Sequence, residues 1–247
     1  MVKKYLRSTK AFQVDDRRKS MSETRTTIFL AGDSTAAEKQ TNKRPETGWG
    51  EKLSSYFTDD IVIQNRAVNG RSTKSFINEG LLTAIEEAIR PGDYLFIQFG
   101  HNDQKEDPAR GTIPYGDYQT NLHTFVNTAF KHGAIPVLLS SVSRRHFIND
   151  MIDSFSLGKY PQAMKDFAEH HNITFFDIHN RSIELLQSLG PVLSKKYFLH
   201  LELNESSNYP NGIEDDTHFN EQGAAAIAHL IVKEIKESNL SLRHFLK

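Results

Sequence analysis

Cysteine is absent from this sequence, and tryptophan occurs once in 247 residues. Without cysteine the chain has no disulfide bonds, no thiolate catalysis and no cysteine-ligated zinc. No segment approaches the roughly 18 consecutive apolar residues that a membrane-spanning helix needs. The formal net charge of −1 gives no general basic excess. We therefore expect neither nucleic acid nor a membrane among the partners.

The first 22 residues differ in composition from the rest, because they hold seven Lys or Arg and two Asp. This start is basic like that of a signal peptide, but no apolar stretch of about 7 to 15 residues follows it. We therefore expect a cytoplasmic protein. We interpret residues 1–22 as a flexible basic leader and residues 23–247 as one domain, since α/β domains often reach this length.

Short apolar runs alternate with amphipathic segments along the rest of the chain. The apolar runs predict strands at 28–31, 61–63, 94–99, 135–139 and 173–176. The periodic segments predict helices at 48–57, 72–89, 117–132, 160–171 and 219–236. This alternation predicts the α/β class, with one parallel sheet of about five strands and helices on both faces.

The first apolar run, 28–31, ends at Gly32, which predicts a buried strand followed by a sharp turn. Ser34 comes just after this turn. Ligands of open α/β sheets bind at the carboxyl ends of the strands, so the Ser34 hydroxyl is a candidate nucleophile. The residue types of Asp33, Ser34 and Thr35 also favour helix caps and turns, and this stretch alone leaves that alternative open.

Other polar segments are expected at the same edge of the sheet. Asn69 and Gly70 follow the second predicted strand, the segment 100–103 follows the third, and the segment 215–218 precedes the last predicted helix. Because the carboxyl ends of parallel strands share one edge, we expect these segments to converge near Ser34.

The converging residue types suit acyl transfer. A serine needs a neighbouring base, most often a histidine that a carboxylate orients, and Asp215 and His218 at a helix entry could supply this pair. The oxyanion of the tetrahedral intermediate needs N–H donors. Gly70 can bring its backbone N–H close because it has no Cβ, and the side chain of Asn102 offers a second donor.

Each of these residues also has an ordinary structural interpretation. Asp215 could cap a helix, Gly70 could serve a tight turn, and Asn102 could belong to an Asx turn. A metal site at Asp215, Asp216 and His218 is conceivable, but no further ligand spacing completes it. The joint occurrence of all the segments in this order favours acyl transfer over any of these alternatives.

Four blocks of the sequence resemble those of the SGNH, or GDSL, hydrolases. The blocks span almost the whole chain after the leader and are Gly32-Asp33-Ser34, Gly70, Gly100-His101-Asn102-Asp103 and Asp215-Asp216-Thr217-His218. Within that family the sequence is most similar to the rhamnogalacturonan acetylesterase branch. The narrower resemblance depends on Gly48-Trp49-Gly50 and on the segment 65–72.

The resemblance implies a role for each matched residue. Ser34 would be the nucleophile, His218 the base and then the acid, and Asp215 the carboxylate that orients His218. The backbone N–H groups of Ser34 and Gly70 and the side chain of Asn102 would form the oxyanion hole. The resemblance also implies a three-layer α/β/α sandwich of flavodoxin-like kind, with no cofactor and no metal.

The same branch implies a substrate, namely acetylated oligosaccharides derived from pectin and built from galacturonate and rhamnose. Arg144 and His146 follow the fourth predicted strand, where a cation could pair with a uronate carboxylate. A charged loop that faces water is the alternative. Trp49 could stack on a sugar or pack in the core.

Two other functions stay open from the sequence. One is an esterase, lipase or thioesterase of different specificity, for example for xylan-type acetyl esters. The other is a carbohydrate-binding protein without catalysis, since a fold does not guarantee an activity. The sequence does not indicate the oligomeric state.

Overall fold

The computed structural model describes residues 25–247, so the leader predicted at residues 1–22 lies outside the described part. Within it the strands are β1 (Thr26–Gly32), β2 (Ile61–Asn65), β3 (Tyr94–Gln98), β4 (Ile135–Leu139), β5 (Phe147–Ile148), β6 (Met151–Ile152), β7 (Thr174–Phe176), β8 (Phe198–Leu201) and β9 (Ile213–Phe219). The α-helices are α1 (Thr73–Asn78), α2 (Leu81–Glu86), α3 (Gln119–Lys131), α4 (Tyr160–His171), α5 (Ile178–Leu193) and α6 (Glu221–Glu237).

A parallel sheet of five strands, in the order β2-β1-β3-β4-β7, forms the centre of the fold. Short antiparallel pairs, β5 with β6 and β8 with β9, lie outside this sheet. Helices cover both faces. The predicted α/β/α sandwich with about five parallel strands is therefore confirmed.

Successive residues of β1 contribute to two separate cores, because side chains of a strand alternate between the faces of the sheet. Leu30 packs in a cluster that includes Leu186 of α5 and Ile227 of α6. Phe29 packs in the other cluster, with residues such as Phe125 of α3. Burial on both faces explains the nearly continuous apolar sequence of the central strands.

The structure differs from the predicted helices in two places. The segment 72–89 forms two short helices, α1 and α2, because Gly80 takes a left-handed conformation with φ of 74° between them. The segment 48–57 forms 3-10 turns at Trp49–Glu51 and Leu53–Tyr56 in place of an α-helix. In both places the apolar periodicity correctly predicts helical turns. The local backbone conformation prevents one long regular α-helix.

Helix α5 and the pair β8-β9 were not predicted. Asp177 caps α5 directly after β7, with its side chain accepting from the N–H of Asn180, so this one residue forms the whole connection between strand and helix. Strand β9 carries polar residues at five successive positions, 214–218, which resemble a loop in sequence. Asp215 and His218 therefore lie on a strand, which corrects the predicted helix entry.

Among residues 25–247, no helix combines the length and the apolar character needed to cross a bilayer.

Candidate active site

Ser34, His218 and Asp215 form a continuous chain of hydrogen bonds. The Oγ atom of Ser34 lies 2.9 Å from Nε2 of His218. The Nδ1 atom of the same ring lies 2.7 Å from Oδ2 of Asp215. Strand β9 carries Asp215 and His218, and the turn after β1 carries Ser34. The structure thus brings together three residues that are far apart in sequence, as predicted.

The second oxygen of the Asp215 carboxylate is held by the backbone. Its Oδ1 accepts from the N–H groups of Thr217, at 2.7 Å, and His218, at 2.9 Å. Burial by itself would raise the pKa of Asp215, but the hydrogen bonds and charge of His218 and these two N–H groups lower the pKa to about 2. Asp215 is therefore a carboxylate at neutral pH, which favours a proton on Nδ1 of His218 and leaves Nε2 to accept from Ser34.

Asp33 holds the turn that presents Ser34. Its backbone carbonyl accepts from the N–H groups of Ala36 and Ala37, and its Oδ1 accepts from the N–H and hydroxyl of Thr35. Its Oδ2 lies 3.2 Å from Nδ1 of His101. Burial would raise the pKa of Asp33, but His101 and Thr35 lower it. This buried, ionised side chain therefore shapes the turn rather than facing the cavity.

The Gly48-Trp49-Gly50 motif packs against the backbone of the same turn. The N–H of Trp49 donates to the carbonyl of Thr35 at 2.9 Å, and a Cβ on Gly48 would lie 2.1 Å from the carbonyl oxygen of Ala37. Only glycine permits this approach. Trp49 is 1% exposed and donates through Nε1 to the Gln98 side chain, so it packs in the core and does not form a wall for sugar.

Gly70 and Asn102 line the same cavity as Ser34, which has a volume of about 380 Å³. Gly70 has φ of 77°, a conformation that side chains disfavour. The Nδ2 of Asn102 donates to the carbonyl of Arg71 at 3.1 Å, and this bond ties the two loops together. Gly70 and Asn102, which were predicted for the oxyanion hole, thus line the cavity that contains Ser34, and their part in catalysis stays a prediction.

Lys39 was not singled out by the sequence. Its side chain is fully buried, and its Nζ lies 2.9 Å from the Glu46 carboxylate. The same Nζ donates to Oδ1 of Asn69 at 2.8 Å and to the backbone carbonyl of Ser34. Lys39 therefore links the turn that carries Ser34 to the loop that carries Gly70.

We expect Lys39→Met to lower the free energy of unfolding by about 3–5 kcal/mol, because it leaves the mostly buried Glu46 carboxylate without its partner. Urea denaturation measures this loss. The double variant with Glu46→Gln removes both charges and should recover part of the stability. As a control, Lys52→Met breaks an exposed pair with Glu221 and should cost less than about 1 kcal/mol. Equal losses at Lys39 and Lys52 would contradict the structural role of Lys39.

Asp103 fixes the loop that carries Asn102 to the start of α1. Its Oδ1 accepts from the N–H of Thr73 at 3.0 Å, from the Thr73 hydroxyl at 2.5 Å and from the Thr112 hydroxyl at 3.3 Å. Burial raises the pKa of Asp103 from 3.8 to about 7, and the hydrogen bonds from Thr73 only partly offset it. The side chain is thus a buried carboxyl that binds a proton more tightly in the folded protein.

This pKa predicts a dependence of stability on pH. Because the folded protein binds more protons than the unfolded chain between the pKa values of 3.8 and about 7, the contribution of Asp103 to stability falls as the pH rises through this window. The free energy of unfolding of the wild type should exceed that of Asp103→Asn by an amount that falls by about 1 kcal/mol per pH unit and levels off above pH 7. Denaturant titrations at several pH values test this.

Asp107→Asn is the matched control, because Asp107 lies on an exposed loop nearby and its pKa is lowered by the N–H of Ala109 and by Arg110. For Asp107→Asn, the difference from the wild type in free energy of unfolding should stay constant between pH 4 and 7. If the difference in free energy of unfolding between wild type and Asp103→Asn did not change with pH, this would contradict the raised pKa of Asp103.

The charged segment after β4 separates into three environments. Arg144 lines the Ser34 cavity, and its Nη1 donates to Oγ1 of Thr217 at 3.1 Å. Arg145 is 7% exposed and pairs with Asp216, so its role is structural. His146 lies outside the cavity lining, and its Nδ1 is 3.0 Å from Asp153. The structure thus brings only Arg144 of the two predicted substrate-binding residues to the site.

Asp216 does not join Asp215 in a metal site. Neighbouring residues of a strand point to opposite sides, and Asp216 lies 2.7 Å from Nε2 of His200 and also pairs with Arg145. Within residues 25–247, no three His, Asp or Glu side chains cluster as metal ligands.

Known proteins that are similar to this chain indicate its family. The model of the GDSL-like lipase/acylhydrolase family matches residues 30–226. The chain belongs to this family. The matched range contains the positions of Ser34, Gly70, Asn102, Asp215 and His218. The predicted SGNH or GDSL resemblance and the predicted class of carboxylic ester hydrolase are confirmed.

Two relatives come from Bacillus subtilis strain 168. The chain is 43% identical to rhamnogalacturonan acetylesterase RhgT over 219 residues, which cover 89% of this chain and 93% of the relative. It is 38% identical to the probable rhamnogalacturonan acetylesterase YesY over 221 residues, which cover 87% of this chain and 94% of the relative.

A solved structure has the same fold. The crystal structure of protein YxiM from Bacillus subtilis superposes with a TM-score of 0.73 at 25% identity. The match covers 89% of this chain and 58% of that one.

Proposed function

We propose that this protein is a serine esterase that removes acetyl groups from rhamnogalacturonan oligosaccharides through an acetyl-serine intermediate. The observation that carries the proposal is the hydrogen-bonded chain from Asp215 through His218 to Ser34, beside Gly70 and Asn102. The relatives named rhamnogalacturonan acetylesterases support the substrate.

In the first half of the proposed reaction, Nε2 of His218 takes the hydroxyl proton as Oγ of Ser34 attacks the acetyl carbonyl carbon. The carbonyl oxygen becomes an oxyanion, which the N–H groups of Ser34 and Gly70 and the amide of Asn102 stabilise. When the tetrahedral intermediate collapses, the bond to the sugar oxygen breaks. That oxygen leaves with the proton from His218, and the acetyl group stays on Ser34.

In the second half, His218 takes a proton from a water molecule that attacks the acetyl-serine. The bond to Oγ of Ser34 breaks, acetate leaves, and the serine recovers its proton from His218. Asp215 stays ionised throughout because its pKa is about 2, and its charge stabilises the imidazolium that forms in each half.

The lining of the cavity supports a small acyl group on a polar substrate. Within residues 25–247, the cavity around Ser34 is lined by polar, charged or glycine residues, and no aliphatic or aromatic hydrocarbon side chain contributes to it. A long acyl chain would require an apolar groove. Acetyl therefore fits this cavity better than a lipid acyl chain.

Acetate release tests the proposal. The purified protein is assayed on acetylated rhamnogalacturonan fragments, on acetylated xylan fragments and on a long-chain acyl ester. Release from the rhamnogalacturonan fragments above the other two is the expected result. Activity confined to xylan or to the long-chain ester would contradict the substrate, and no activity on any ester would favour a carbohydrate-binding protein. Cytoplasmic location and the absence of nucleic-acid and membrane partners stay predictions.

A further inference from the structure

Three cations line the Ser34 cavity, Lys43, Lys105 and Arg144, and none of them lies within 4.0 Å of a carboxylate oxygen in residues 25–247. Two of these, Lys105 and Arg144, are close enough that the charge of Arg144 acts on Lys105. Their neighbours in sequence are different. Arg110 pairs with Asp107 at 2.6 Å, and Arg145 pairs with Asp216. Arg144 makes one side-chain hydrogen bond, to the neutral hydroxyl of Thr217. Lys105 and Arg144 are thus two positive charges in the lining of the cavity for which the described residues supply no counter-charge.

The carboxylates around the cavity are already engaged. Asp215 is held by His218, Glu46 by the buried Lys39, and Asp33 by His101 and Thr35. Each lies in a position that its own hydrogen bonds fix, so none is available to turn toward Lys105 or Arg144. The unpaired positive charge is therefore a property of the folded site.

The electrostatics of the two cations agree with this geometry. Burial lowers the pKa of Lys105, and the positive charges of Arg110 and Arg144 lower it further. Burial also lowers the pKa of Arg144, against the opposing pull of Asp33 and Asp215. Two like charges in a partly desolvated cavity lining repel each other, and an anion that binds between them offsets this repulsion.

We propose that Lys105 and Arg144 form a carboxylate subsite that binds a uronate of the substrate, on the sugar that carries the acetyl group or on its neighbour. A guanidinium can bind a carboxylate through two parallel hydrogen bonds, and an ammonium adds a mobile point charge. Arg144 is anchored through Thr217, which lies between Asp215 and His218 in β9, so a bound carboxylate lies close to the reacting ester. This inference rests on the proposed function.

If the subsite binds a carboxylate, the enzyme should act faster on a substrate with a free uronate than on its methyl ester. The methyl ester has the same skeleton but no charge. The experiment measures acetate release from acetylated rhamnogalacturonan fragments before and after methyl esterification of their carboxylates. The wild type should favour the free acid in kcat/KM by about tenfold or more, as charge-assisted hydrogen bonds usually allow. Arg144→Gln and Lys105→Gln should each lower this ratio several-fold.

Lys233→Gln is the matched control, because it removes the same charge from an exposed position on α6, away from the cavity. Its ratio should equal that of the wild type. The ratio compares two substrates of one preparation, so a general loss of activity in a variant does not change it. Lys105 is exposed, so Lys105→Gln keeps the test available if Arg144→Gln folds poorly.

The outcomes separate the subsite from the esterase. Hydrolysis of 4-nitrophenyl acetate, lost in Ser34→Ala, reports the esterase without any uronate. If that activity is present and the two fragments react equally, the subsite is overturned and the esterase stands. If no ester is hydrolysed, calorimetry with deacetylated fragments and their methyl esters still tests the subsite: tighter binding of the free acid, weakened by Arg144→Gln, supports it, and equal binding overturns it.

Discussion

Replacing Ser34 with alanine is expected to lower kcat for acetate release by at least about ten-thousand-fold, because the variant has no hydroxyl to form the acetyl-enzyme. The residual rate would come from the oxyanion hole and from substrate binding alone. Initial rates of acetate release on the rhamnogalacturonan fragments measure the loss. KM should change far less than kcat, since the hydroxyl forms its bond to the substrate only during the reaction.

The fold of this variant should be intact. Among the described residues, the Ser34 hydroxyl makes one hydrogen bond, to His218, and that ring keeps its bond to Asp215. Thermal unfolding checks the fold, and Ser54→Ala, at an exposed serine beside a different cavity, serves as the matched substitution. Turnover of Ser34→Ala near that of Ser54→Ala would show that Ser34 is not the nucleophile.

Asp215→Asn is expected to lower kcat by about ten-thousand-fold while preserving most of the local geometry. The asparagine amide would donate to Nδ1 of His218, so the ring proton would move to Nε2. In that tautomer Nε2 no longer accepts from the Ser34 hydroxyl. The variant would also lose the negative charge that stabilises the imidazolium during the reaction.

The neighbouring residue provides the control for this prediction. Asp216→Asn makes the same change one position along β9, on the opposite side of the strand, where the carboxylate faces Arg145 and His200. Its main effect should be a lower free energy of unfolding. Its kcat should fall far less than that of Asp215→Asn. A similar loss of kcat in both variants would indicate a general disturbance of β9 and would contradict the specific role of Asp215.

The sequence was sufficient to predict the main sheet and the convergence of the site. The central strands are buried on both faces, so their apolar runs are nearly continuous, and Tyr94–Gln98 is a clear example. Because parallel strands end at one edge, a polar residue directly after such a run has a predictable position. Ser34 and Asn102 are placed by this reasoning alone, without knowledge of the strand order.

Other features depend on tertiary contacts that local patterns do not encode. Strand β9 carries acidic and polar residues, and it forms because β8 pairs with it outside the main sheet. Lys39 resembles a surface lysine in sequence, and only the fold shows that its ammonium is enclosed beside Asn69. Lys105 likewise has no distinguishing neighbours in sequence. Its role follows from the cavity that it lines.

Buried polar groups hold the segments that carry the proposed catalytic residues. Asp33 pairs with His101 within the turn that carries Ser34, Lys39 joins that turn to the neighbouring loop, and Asp103 holds the loop of Asn102 to α1. Such groups are costly unless they are paired, but once satisfied they hold loops in a single arrangement. We infer that this support keeps the three donors of the proposed oxyanion hole in fixed positions, since a small displacement of a catalytic group lowers the rate strongly.

Trapping the acetyl-enzyme tests the central claim most directly. The protein is mixed with 4-nitrophenyl acetate, quenched in acid within the burst phase, digested and analysed by mass spectrometry. The proposed mechanism predicts a single acetyl group on the peptide that contains Ser34, absent from Ser34→Ala and accumulating more slowly in Asp215→Asn. Ester hydrolysis without acetylation of that peptide, or with acetylation at another residue, would contradict it.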